Sequence, residues 1–273
     1  MTQSFVRPEG GWHVGEMLRD WRRRRRLTLR HLADEAGMSP RSLGALERGG
    51  SMPDREIVLT LADRLDVPLR ERNAMLGVAG FAPLHPVGLL GDTVLGATVG
   101  SVLGGHAPNP AFAIDRHWCL VASNAALGWL IGGVDPTLLH PPVNMLRLML
   151  HPAGLAPRIA NLRDWRQHLM DRLRSCCEAA SDSVLADLME EVRDYPVPPD
   201  CPDDGLVPAV AGVAVPLRLV TVDGTLAFFG TTTLFGAAID VTLAELTIET
   251  LYPADDATAE IIRLAAARPA ATG

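Results

Sequence analysis

Leu27 to Gly49 reads LTLRHLADEAGMSPRSLGALERG, and this stretch decides the fold of the first third of the chain. After Thr28, a residue suited to N-capping, Leu29, Leu32, Ala33 and Ala36 recur at three- and four-residue spacing, which predicts a short amphipathic helix to about Ala36. Gly37 ends it, since glycine takes φ > 0 at no Cβ cost and turns the chain so that Met38 folds back into the core. Ser39-Pro40 opens a second helix: the serine caps free N–H groups, and a proline at the first helical position has no donor to lose. Leu43 and Leu46 then face inward, which turns Pro40, Arg41, Ser42 and Ala45 outward, where base edges and phosphates lie if the helix enters a major groove. Two short helices around a glycine turn make the helix-turn-helix pattern. A plain helical hairpin would share the cap and the glycine but not what flanks them.

Upstream, Val14 to Arg26 carries Val14, Met17, Leu18 and Trp21 on one side and ends in five consecutive arginines. Downstream, Pro53 and Asp54 start a helix with Ile57, Val58, Leu61, Ala62 and Leu65 inward, and Leu69 to Ala79 supplies a fifth. Over roughly residues 12–82 the sequence resembles the Cro/CI-type helix-turn-helix regulators, also called the XRE family. The resemblance implies an all-α, five-helix domain that binds double-stranded DNA. Carried over residue by residue, it implies DNA contacts at Arg25, Thr28, Arg30, Ser39, Pro40, Arg41, Ser42, Ala45 and Arg48. It also implies a structural brace between Arg22 and Glu47, just before the closing glycine. The chain departs from the pattern at Leu29, where relatives often have glutamine, which leaves that polar contact open.

Length and charge fit two domains. A chain of 273 residues, 48% of it hydrophobic, is long enough for two cores. Residues 1–82 hold 14 arginines against 11 acids, a net +3, while residues 83–273 hold 11 against 21, a net −10. That asymmetry matches a first domain that meets a polyanion and a second that does not. Arg22 to Arg26 is either a solvated helix face or a source of phosphate contacts. The apolar run Val87 to Val102 is broken by glycines and an aspartate and lacks basic flanks, and the amino terminus has no export pattern, so a soluble, cytoplasmic protein is expected. Cys119, Cys176, Cys177 and Cys201 match no metal spacing, and the adjacent pair reads as helix residues before it reads as a redox sensor. His140, His151 and His168 with Asp164 lack a recognised ligand spacing, so neither a metal nor a cofactor is expected.

Beyond a proline-containing linker, Phe81 to Pro86, the texture changes. Residues 83–104 are expected to form a linker and a glycine-weakened connecting helix, which serves either to couple domains or as a dimer contact. Residues 1–11 are expected to lack order, as is the tail from Arg268. Ala111 to Asp115 and Trp118 to Ala122 read as a hairpin around Arg116-His117, with a helix from Ala125 to Ile131. Its layout, Ile114-Asp115, Trp118, then Val121 and Asn124, is similar to the start of PAS-like sensor domains. Helical segments follow at Asn144 to His151, Asn161 to Ala180 and Ser183 to Arg193, and Tyr195 to Asp204 is a proline-rich loop. Val213 to Val222 and Thr225 to Leu234 flank Asp223-Gly224, a turn pair for a tight hairpin. A further strand runs through Ile239 or Ile248, and Asp256 to Ala267 closes the chain as a helix.

NMLRLMLHPAGLAPRIANLRDWRQHLMDRL, residues 144–173, together with the hairpin before it, resembles the ligand-binding domain of MmyB-like transcription regulators over about residues 105–267. The resemblance implies an α+β, PAS-like domain: an antiparallel sheet with helices on one face and a pocket between them for an apolar ligand of the fatty-acid type. Leu146, Leu148, Leu150 and Trp165 would face Phe112, Phe228 and Leu234 there, with Arg147, His151, Arg158 and His168 as candidate polar anchors. The expected protein is a homodimeric regulator reading a palindromic operator under the control of that ligand. The alternatives are a second domain that binds a protein partner, or one that carries an enzymatic activity. No nucleophile-elbow, zinc-protease, Walker or dinucleotide motif in a suitable setting supports the enzyme.

Overall fold

The structure is a computed structural model, which describes residues 13–88, 91, 93–179, 182–197 and 215–267. The amino-terminal arm, Cys201, the greater part of the proline-rich loop, the expected start of the late hairpin at Val213 and the final tail lie outside the described residues. The chain divides into two compact units, one running to Gly88 and including Ala237–Ala244, the other holding the rest.

The first unit is all helical: α1 (Val14–Arg24), α2 (Leu29–Glu35), α3 (Pro40–Glu47), α4 (Arg55–Arg64) and α5 (Leu69–Val78). Polar side chains fix four of the starts. His13 Nδ1 accepts from the Glu16 N–H, Thr28 Oγ1 from His31, Ser39 Oγ from Ser42 and Asp54 Oδ1 from Ile57. Each satisfies a backbone donor that the helix leaves unpaired, typically worth about 1 kcal/mol. Gly37 sits at φ +66° between α2 and α3, and the Met38 N–H donates to the Ala33 carbonyl at 2.9 Å, which closes the turn. Leu18, Leu32, Leu43, Leu61, Leu65 and Leu76 are fully buried in one cluster. Burying a side chain of this size stabilises by about 1.5–3 kcal/mol.

In the second unit the elements run α6 (Thr93–Gly105), β1 (Ala111–Ile114), β2 (Leu120–Ser123), α7 (Ala125–Leu130), α8 (Met145–Leu150), α9 (Leu162–Ala179), α10 (Ser183–Arg193), β3 (Leu217–Thr221) and β4 (Gly224–Leu234). After α11 (Val241–Ala244), which belongs to the first unit, come β5 (Thr247–Pro253) and α12 (Asp256–Ala266). The five strands form one antiparallel sheet in the order β2-β1-β5-β4-β3. The unit is thus α+β, with α7 to α10 inserted between β2 and β3.

One reading left open is resolved, and one local expectation needs correction. The last strand passes through Ile248; Ile239 lies in the β4–β5 connector and is exposed. That connector, with α11, is counted with the first unit, where α11 packs on α5. There the Val241 N–H donates to the Pro86 carbonyl at 2.8 Å, and the Gly88 N–H donates to Asp240 Oδ2 at 2.6 Å. Trp118 is a turn residue at φ +65°, not the start of β2, because Asp115 Oδ1 accepts from both His117 and Cys119 and holds the chain in a wider turn. Within and just past the expected 83–104 stretch, the connecting helix spans Thr93–Gly105, with Val99 and Leu103 buried and Val94 exposed.

Candidate functional site

In the first unit α3 is offered outward by its own packing. Leu43 and Leu46 are buried, while Arg41 and Ser42 are exposed and Pro40 and Ala45 half-buried. Gly44 is buried on the inner side: a Cβ there would stand 3.5 Å from Leu29 Cδ2. Leu29 therefore packs between α2 and α3, an apolar use of the position where relatives often carry glutamine. Glu47 is 3% exposed and takes Arg22 in a two-pronged pair, Nε to Oε1 at 2.6 Å and NH2 to Oε2 at 2.7 Å. The same guanidinium donates to the Leu27 carbonyl at 3.0 Å, so one side chain ties α1 to the end of α3 and to the approach to α2.

Around α3, Thr28, Arg30, Ser39 and Arg48 are exposed. Thr28 and Ser39 are at once caps, so their hydroxyls face the N-terminal ends of α2 and α3, where phosphate oxygens also find unpaired N–H groups. Arg25 is different from the expectation: its guanidinium donates to the Leu65 carbonyl at 2.9 Å and the Asp66 carbonyl at 2.8 Å. It closes the C-terminal end of α4, where carbonyls lack helical partners, and is engaged by the fold.

In the second unit a cavity of about 530 Å³ lies on one face of the sheet. Cross-strand register builds its floor. Glu249 of β5 stands opposite Phe112 of β1 on one side and Thr232 of β4 on the other, and Leu251 stands opposite Gly230. Directly opposed residues share a face, so these five form one surface. A Cβ added at Gly230 would meet nothing within 4 Å, which leaves open space in the middle of that surface. The roof comes from Met145 and Met149 of α8 and from Trp165, His168, Leu169 and Arg172 of α9, with Trp118 and Val215 at the sides. Positions 165, 168, 169 and 172 are one helical stripe.

The polar part of the cavity is an ion pair. Arg172 NH2 donates to Glu249 Oε1 at 2.5 Å, Thr232 Oγ1 donates to the same oxygen at 3.1 Å, and the guanidinium lies 5.0 Å from the Trp118 ring centre. Burial pushes the His168 imidazole below its ordinary pKa, and the neighbouring Arg172 charge acts in the same direction, against weaker pulls from Glu249 and Asp171. Its ring lies 5.3 Å from that of Trp165. Trp165 is 4% exposed, and its indole Nε1–H has no hydrogen-bond partner among the described residues.

Of the sequence-predicted ligand residues, Phe112, Trp165 and His168 line this cavity and the others do not. Leu146, Leu148, Leu150 and Phe228 are fully or almost fully buried in the hydrophobic core, because α8 turns Met145 and Met149 to the cavity and its leucines away from it. Leu234 is 65% exposed at the far end of β4. Three of the four expected polar anchors, Arg147, Arg158 and His151, serve the fold. Arg147 pairs with Glu191, NH2 to Oε2 at 2.6 Å. Arg158 donates to the carbonyls of Gly132, Leu130 and Val220, closing the end of α7, and burial lowers its pKa. His151 accepts from the Ala153 N–H and meets Tyr195 edge to face. Sequence reasoning missed Arg172 and Glu249. Arg172 was legible as the residue one turn beyond His168 on the same stripe, and Glu249 as a charge inside the apolar strand TIETLYP. Among the described residues no group of three or more histidine, cysteine or acidic side chains is placed to hold a metal ion. Burial raises the thiols of Cys176 and Cys177, away from the thiolate form that redox sensing uses.

An exposed helix held by the helix-turn-helix packing, and in the same chain a mostly apolar cavity over an antiparallel sheet, define a DNA-binding transcription regulator with a ligand-binding domain. Residues 95–265 match the family described as MmyB-like transcription regulator ligand binding domain, and residues 13–75 match the helix-turn-helix domain. The first match spans more than half of the chain, and the chain belongs to the MmyB-like transcription regulators. No curated protein matches it. No helix among the described residues is long and apolar enough to cross a membrane.

Proposed function

We propose that this regulator reads a palindromic operator as a homodimer and that a small apolar ligand of the fatty-acid type, seated in the cavity on the sheet, sets how well it does so. The observation that carries the reading is the cavity itself, about 530 Å³, walled by Phe112, Trp118, Met145, Met149, Trp165 and Leu169. That size and lining belong to the ordinary range for small-molecule sites. The sheet order and the helices inserted between β2 and β3 support a PAS-like arrangement. A dimer sets two copies of α3 about one DNA turn apart, roughly 34 Å, so the operator has matching half-sites. Arg41, Ser42, Pro40 and Ala45 meet base edges, and Thr28, Arg30, Ser39 and Arg48 meet the backbone. Binding to DNA carries with it a cytoplasmic site of action.

The test is a gel-shift selection from genomic fragments at moderate salt. A shared sequence with two-fold symmetry is expected among the bound fragments, and binding without sequence preference contradicts the reading. Arg41→Ala is expected to lose about 1–3 kcal/mol at one base position and little elsewhere; an equal loss on every sequence assigns Arg41 to phosphate instead. Native mass spectrometry of the purified chain separates ligand from protein partner: a bound small apolar molecule supports the sensor, and a stoichiometric second protein contradicts it.

A further inference from the structure

We infer that Glu249 is a built-in competitor for the ligand: it holds on Arg172 the place that the carboxylate of a fatty-acid-type ligand takes when it binds. The inference rests on the reading that the cavity takes such a molecule, and it names the group that receives its head. Arg172 is the one permanent cation among the described residues that line the cavity. His168 is the other basic side chain there, and burial together with the neighbouring Arg172 favours its neutral ring. A carboxylate entering the cavity therefore has one partner of opposite charge, and Glu249 already occupies it. The two terminal nitrogens of Arg172 reach the two Glu249 oxygens at 2.5 and 3.4 Å, a two-pronged pairing that a free acid can reproduce.

The surroundings let the pair exchange. Arg172 keeps 30% of its side chain exposed against 9% for Glu249, so the guanidinium is the accessible half. It also lies 5.0 Å from the Trp118 ring centre, a contact that holds it in place when Glu249 lets go. Thr232 Oγ1 donates to Glu249 Oε1 from β4, which leaves the displaced carboxylate a hydrogen bond. The fold gains little from the pair, because desolvation offsets most of the attraction between partly buried charges. As a competitor, by contrast, Glu249 sets a threshold. Apparent affinity falls by the fraction of time that Arg172 is free, so a pair open about a tenth of the time weakens acid binding about tenfold. An uncharged head, which has no claim on Arg172, escapes this penalty.

The experiment titrates the full chain, stripped of co-purified small molecules, with decanoic acid and with decan-1-ol at pH 8, read by isothermal calorimetry. Glu249→Gln keeps the side-chain volume and an acceptor for Arg172 and Thr232 but removes the competing charge. It is expected to tighten decanoic acid about tenfold and to leave decan-1-ol within about twofold. Adding Arg172→Met to Glu249→Gln is expected to abolish the gain for the acid, since the gain needs the freed guanidinium. An acid that gains nothing from Glu249→Gln, a gain shared equally by the alcohol, or a gain kept without Arg172 overturns the inference and leaves the cavity reading intact. Failure of both probes to bind any of these proteins overturns the cavity reading, and the inference with it. Should Glu249→Gln not fold, Glu249→Asp decides: its shorter side chain reaches Arg172 less well and is expected to tighten the acid about threefold. No gain there overturns the inference.

Discussion

A Cβ placed on Gly15 would stand 2.0 Å from the Leu46 carbonyl oxygen, so the start of α1 rests directly on the backbone at the end of α3. Gly15→Ala is expected to cost on the order of 3 kcal/mol in urea unfolding of the first unit, since a backbone atom cannot move aside as a side-chain tip can. Nothing in the local sequence marks Gly15, whose role depends on a contact thirty-one residues away. Arg22 and Glu47 meet across a similar separation, and there the family pattern supplied what spacing alone could not. Arg25 shows the opposite case. It belongs to a run of five arginines that reads as a phosphate-binding face, yet the carbonyls of Leu65 and Asp66 claim it. A composition cue gives the sign of a surface and cannot say which of its charges the fold uses.

At the scale of elements, caps and periodicity were legible and packing partners were not. Thr28, Ser39, Asp54 and Asn144 each stand one residue before a helix and bond its first turn, as residues of these types do in sequence. The two hairpins were legible from their turn chemistry, although Trp118 moved into its turn. Less legible was which face of α8 meets the cavity, because MLRLML is apolar at five of its six positions and spans less than two turns. Asp182 illustrates what joins the elements. It caps α10 through the Val184 N–H at 3.0 Å and takes His117 Nε2 at 2.9 Å, tying the β1–β2 turn to that helix. Burial would raise its pKa, but the His117 and Val184 hydrogen bonds and the nearby Arg116 outweigh this and hold the carboxyl low. A folded-state pKa below the unfolded one gives stability that is present above about pH 4 and lost as the pH falls through the folded value. Asp182→Asn is expected to make the loss of stability below about pH 4 shallower in thermal melts at stepped pH. An unchanged slope would show that Asp182 is not held ionised by the fold.

For the molecule as a whole, sequence reading found both units and their order, and it missed the passage of chain that links them. The connector after β4 is counted with the helix-turn-helix unit, whereas β4 itself carries Gly230 and Thr232 of the cavity floor. Such a return visit of the chain has no signature in periodicity or composition. Asp240 holds the connector, accepting from Gly88 at one oxygen and Leu243 at the other. Asp240→Ala is expected to leave ligand affinity and ligand-free operator affinity within about twofold and to reduce the effect of one on the other. A reciprocal cycle measures this, because each ligand must change the affinity of the other by the same factor.

The most direct trial of the account is operator affinity by fluorescence anisotropy, with and without a saturating acyl probe, in the unaltered chain and in Gly230→Phe. The phenylalanine enters open space on the cavity floor, so the fold is kept while the ligand is excluded. We expect the probe to change operator affinity in the unaltered chain by at least about fivefold, within the usual range of coupling between two sites, and to change nothing in Gly230→Phe. An operator affinity that ignores the probe in both, or that responds equally in both, contradicts control through this cavity.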